Sequence, residues 1–148
     1  MNKLIKPATK QHADALLQCK QDILLFGKIA LPNMFSKKSP PFHREIASVM
    51  QSDARKINIV APRGHAKSSL GACLWPLYHV FFDEGEKVIV LVSKTEGHAK
   101  RLLQTIKDAL DYSIPLRQLV GYWGEHSARR WTDSEVILRD NTMIICRG

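Results

Sequence analysis

Cysteine is scarce and poorly placed for chemistry. Cys19, Cys73 and Cys146 are odd in number, lie far apart, form no CxxC pair and have no His at ligand spacing beside them, which argues against both a disulfide framework and a zinc site. Long apolar runs are also missing. No stretch approaches the roughly 18 uninterrupted apolar residues of a membrane span, and the first residues, MNKLIKPATKQ, lack the apolar core of a signal peptide. The chain therefore reads as cytosolic. It has no internal repeat, no low-complexity stretch and no polybasic tail.

What is present suffices for one ordinary domain: 148 residues, 45% of them hydrophobic, can bury a real core. Twenty-two Lys and Arg against 14 Asp and Glu leave a net charge of +8. The excess is spread out, with ten bases against four acids up to Lys56 and twelve against ten after it. Such a balance favours an anionic partner, nucleic acid or nucleotide phosphate, because neutralised phosphates release counterions. A merely basic surface would have the same composition.

Apolar residues at Ala13, Leu16, Leu17, Leu24 and Leu25 predict an amphipathic N-terminal helix over Ala13 to Ile29. Leu31 to Pro41, rich in Pro, Ser and Lys, reads as a linker. Residues 1–39 then form a helical segment with its linker and residues 40–148 the main domain. Phe42 to Met50 reads as a short helix with Ile46, Val49 and Met50 inward. Ile57 to Ala61 is strand-like. Lys67 to Phe82 has Leu70, Leu74, Leu77, Tyr78 and Phe81 at helical spacing, with Pro76 expected to kink or shorten that helix.

Val88 to Val92 suits a strand buried on both faces of a parallel sheet. Thr95 caps a helix with Ala99, Leu103, Ile106 and Leu110 inward, and Val136–Leu138 and Thr142–Cys146 read as a hairpin turning at Arg139, Asp140 and Asn141. The order strand, loop, helix, strand, helix predicts an α/β fold of the P-loop NTPase type: a doubly wound, mainly parallel sheet, preceded by an N-terminal helix and incomplete at the C-terminus.

The chemistry concentrates at Ala61-Pro62-Arg63-Gly64-His65-Ala66-Lys67-Ser68-Ser69. A loop between a strand and a helix can aim backbone N–H groups and the positive end of the helix at phosphates. Lys67 would reach the β- and γ-phosphates of ATP, and the Ser68 hydroxyl would bind Mg²⁺. Ala61 and Ala66 stand where glycines are usual in GxxxxGK[ST]; alanine is small but resists positive φ. Gly64 can supply one such turn. His65 would act as a positioning residue, and a basic strand-to-helix turn is the competing reading.

The run APRGHAKSS resembles the deviant Walker A motif of phage terminase large subunits, the DNA-packaging ATPases, in which an arginine sits inside the loop and alanine can precede the lysine. Phe42-His43-Arg44-Glu45, the segment Lys87 to Leu110, and Trp131 followed by VILRDNTMIICRG are similar to the same family. The resemblance covers roughly Pro40 to Gly148. It implies Lys67 and Ser68 as phosphate and metal residues, Arg63 as a stabiliser of charge on the transferred phosphoryl group, and Phe42, His43 and Arg44 as adenine contacts. From the residues alone, Arg63 could equally pair with a carboxylate or contact ground-state phosphate.

The resemblance further implies double-stranded DNA as substrate, portal protein and small terminase subunit as partners, a homo-oligomeric ring, and work in the bacterial cytoplasm and transiently at the procapsid.

A Walker B carboxylate is lacking: none of the ten acids after the loop follows a run of four apolar residues. In the family that motif and the nuclease domain come later, so the chain reads as truncated, able to bind nucleotide but to hydrolyse it only slightly and to cleave no DNA. Two alternatives stay open. One is another P-loop motor, of helicase or recombination type. The other is a non-catalytic basic nucleic-acid-binding module or prophage fragment, with Trp123, Arg129, Arg130 and Trp131 as its DNA surface.

Overall fold

Thr9 opens helix α1, Lys10–Gln21, by accepting the N–H of His12 at 3.1 Å. One residue after it ends, the Asp22 carboxylate accepts the N–H groups of Leu24 and Leu25 at 3.0 and 3.2 Å and starts α2, Ile23–Ala30. The continuous helix expected over Ala13 to Ile29 is therefore two, because a short acidic side chain caps the free N–H groups of a new helix. Helix α3, Pro41–Met50, begins on a proline whose missing N–H is not needed there. Its buried face is His43, Ala47 and Met50, whereas Val49 is 44% exposed.

Helical structure resumes at Lys67 and runs to Phe82. Its middle, Ser69–Leu74, winds as a π-helix in which the Trp75 N–H bonds to Leu70 O, and α4, Trp75–Phe82, follows. The wider turn accommodates the Pro76 ring and its missing donor, so the helix widens instead of kinking. Leu70, Leu74, Leu77 and Phe81 are buried along it.

The remaining elements are β1, Val88–Val92; α5, Glu96–Tyr112, with Ala99, Leu103, Ile106 and Leu110 buried; α6, Ile114–Val120; and three strands, β2, Arg130–Trp131, β3, Glu135–Ile137, and β4, Met143–Arg147. The computed structural model describes all residues, 1 to 148. Its single sheet has the order β1-β4-β3-β2; β1 and β4 are parallel, whereas β3 pairs antiparallel with both β4 and β2. This corrects the expected doubly wound, mainly parallel P-loop sheet. Two features overturn it. Ile57 to Ala61 enters no ladder, and the chain after α5 returns as antiparallel strands joined by the short turn at Leu138–Thr142.

Helix α5 packs on β1 and β4 and covers one face of the sheet. The other face is open at β1, where Val88, Val90 and Val92 are 67%, 52% and 71% exposed. The expectation that this strand is buried on both faces is thus corrected: it is an edge strand covered on one side. A single core of 32 buried residues joins α1 and α2 to α4, α5, α6 and the sheet, with Phe26, Phe81 and Trp123 among its largest members. No helix is long and apolar enough to cross a membrane.

Candidate functional site

The loop between Ile57 and the helix at Lys67 is shaped by two left-handed residues, Gly64 at φ +80° and Ala66 at φ +55°. Glycine takes this conformation freely, but for alanine it is strained, so the loop reaches through Ala66 the turn that its sequence was expected to avoid. Alternation of left-handed and ordinary backbone turns successive N–H groups toward one side, the arrangement of an anion nest. The first backbone donor after the loop is Leu70, whose N–H bonds to Ala66 O at 2.9 Å. The N–H groups of residues 63 to 69 donate no hydrogen bond within the chain.

Cations gather on the same loop. The Lys67 ammonium folds back and donates to Ala61 O and, at 2.5 Å, to Pro62 O, bridging the two ends of the loop. Arg63 is exposed, and none of the chain's ion pairs involves Arg63, His65 or Lys67. Unpaired positive charge and free N–H groups favour an anion. Ser68 is exposed, and its hydroxyl makes no hydrogen bond within the chain. Lys67 and Ser68 also border a cavity of about 310 Å³ walled by Ile46, Met50, Ile57 and Ile59.

A second cavity, about 350 Å³, lies between the segment Met34–Pro40 and the loop and is lined by Phe42, His43, Gly64, His65 and Ala66. The Phe42 ring stands 4.5 Å from that of His43 and 5.2 Å from that of His65, centroid to centroid. His65 also contacts Arg63 O through Nδ1 at 3.0 Å. His43 is only 9% exposed, and neither ring nitrogen has a hydrogen-bond partner. A buried imidazole without partners carries a desolvation penalty that a polar ligand would relieve.

Phe42 and His43 thus come to the loop, whereas Arg44 does not: its guanidinium bonds to Asp22 at 2.7 Å, between α3 and α2. Lys37 and Lys38 border the second cavity. From the sequence they belong only to a linker; two adjacent lysines a few residues ahead of Phe42 are the available signal.

The set Trp123, Arg129, Arg130 and Trp131 does not form one surface. Trp123 is 1% exposed, donates to Val120 O at 2.8 Å and carries Arg139 over its ring at 4.3 Å. Arg130 lies 3.6 Å from Glu135, and Trp131 packs against the core beneath Lys107. Two thiols are equally structural: burial pushes Cys19 up to about 11 and Cys73 up to about 12. No three His, Cys, Asp or Glu side chains cluster as a metal site. No protein-family model matches the chain, and the search of curated proteins finds no match.

Proposed function

We propose that the loop Ala61–Ser69 binds the phosphates of ATP together with Mg²⁺. The observation that carries this reading is the run of free N–H groups over residues 63 to 69, bordered by Arg63 and Lys67 without a carboxylate partner. On binding, the Lys67 ammonium exchanges its two carbonyl partners for phosphate oxygens, and the loop N–H groups hold the remaining ones.

The residues suit a metal carried in by its nucleotide rather than one caged by protein: Ser68 supplies one free hydroxyl, and no cluster of acids could replace the phosphates. Mg²⁺ is often held in this way, by phosphates, waters and one or two protein oxygens. Bound there, it would neutralise charge on the phosphates. Phe42 and the unpartnered His43 offer a face and polar atoms to the adenine. Arg63 is free to reach the transferred phosphoryl group.

The terminase resemblance of the loop and its flanks extends the proposal. The chain is the ATP-binding part of a packaging motor that drives duplex DNA into a capsid, working in the host cytoplasm with portal and small-subunit partners. Hydrolysis by the chain is slight, since none of the acids after the loop follows a run of four apolar residues as a carboxylate holding the Mg²⁺ shell would.

Displacement of a fluorescent ATP analogue by ATP, ADP and AMP, with and without Mg²⁺, tests the phosphate reading. Affinity should fall from ATP to AMP and depend on the metal. Equal affinity for all three would refute a phosphate-directed site.

A further inference from the structure

We infer that β1 is the seam of a two-fold dimer, pairing antiparallel with β1 of a second copy about Val90. This inference is independent of the phosphate loop, and its test uses no nucleotide. One edge of β1 is bonded to β4; the other makes no backbone hydrogen bond. The Met143 N–H donates to Lys87 O and the Ser93 N–H to Arg147 O. The backbone of odd-numbered residues therefore faces β4, and the N–H and C=O groups of Val88, Val90 and Val92 point outward along the free edge.

Edge strands normally protect such a row with a charge, a proline or a bulge. The run Val-Ile-Val-Leu-Val has none, and its three outward-bonding residues also have the exposed side chains. A second copy is selected by charge. With Val90 opposite Val90, Val88 faces Val92 of the other copy, and all three residues enter hydrogen-bonded pairs. The same register brings Glu86 and Lys94, which flank β1 just beyond its two ends, near each other at both ends of the seam.

Both side chains are available for this contact. Glu86 is exposed, and one of its carboxylate oxygens accepts the Asn141 amide at 2.7 Å; Lys94 is exposed and has no partner in the chain. Sliding one copy by two residues, so that Val90 faces Val92, would bring Glu86 opposite Glu96 instead. A contact of this isologous kind closes at two copies.

Sedimentation equilibrium of the full chain over a concentration series reads the association. The expected species has twice the 16.8 kDa chain mass. Glu86→Lys and Lys94→Glu should each weaken the dimer about tenfold, since each turns two attractive contacts into repulsive ones. The double exchange should restore it. Val90→Pro should give a folded monomer by circular dichroism, because the Val90 N–H is not used within the sheet and proline is tolerated on such an edge. A wild type monomeric at every concentration would overturn the inference, as would a dimer indifferent to Val90→Pro or one in which the double exchange restores nothing.

Discussion

Ala66 holds a left-handed backbone, φ +55°, that costs an alanine about 1–2 kcal/mol and a glycine almost nothing. Ala66→Gly should therefore stabilise the fold by about 1 kcal/mol, after allowance for glycine's greater freedom in the unfolded chain; thermal unfolding of the two proteins measures it. An unchanged or lower Tm would mean that the strain does not exceed glycine's entropic cost. At this scale the sequence was informative about residue type and less so about placement. Arg63, Gly64 and Lys67 suggest a phosphate-binding loop by identity and spacing, and the structure gathers Arg63 and Lys67 on one loop with Phe42 and His43 beside it. Arg44 turns away because Asp22, 22 residues earlier, lies within its reach, a pairing that no local pattern contains.

Asp22 also governs the helix break. Burial tends to push its carboxyl up, but the hydrogen bond from Arg44 and the N–H groups of Leu25 and Leu24 outweigh this and hold it below the ordinary 3.8. The lowered native value means that the charged form stabilises the fold above about pH 4, and that this contribution fades as pH falls through the native value. Asp22→Asn keeps a capping oxygen but loses the charge. Wild type should exceed the variant in urea midpoint at pH 7, with the difference shrinking below pH 4; a gap independent of pH would assign the effect to packing. The Ala99, Leu103, Ile106 and Leu110 stripe of α5 was legible because a 17-residue helix repeats its pattern over several turns. Ile57 to Ala61 was not: apolar β-branched residues suit a strand, but a strand exists only where a neighbour supplies hydrogen bonds, and none does here.

Across the whole molecule, one core ties the N-terminal helices to the segment that carries the loop. Phe26 on α2 is fully buried and meets Phe81 and Phe82 of α4 edge-on, at 6.2 and 5.2 Å between centroids. Phe26→Ala should cost about 3–5 kcal/mol, a large share of the roughly 5–15 kcal/mol that holds a domain together. Chemical denaturation would show it, and a loss below about 1 kcal/mol would mean that α2 docks weakly. The mixed sheet could not be read from the chain, since the directions of β3 and β4 follow from a turn and a long-range pairing rather than from local pattern.

Calorimetric titration of Mg²⁺-ATP into the chain and into its Lys67→Ala variant bears most directly on the proposal that the loop Ala61–Ser69 binds phosphate. Micromolar binding by the folded wild type, lost in the equally folded variant, is the predicted result; binding that survives the substitution, or none by the wild type, would contradict it.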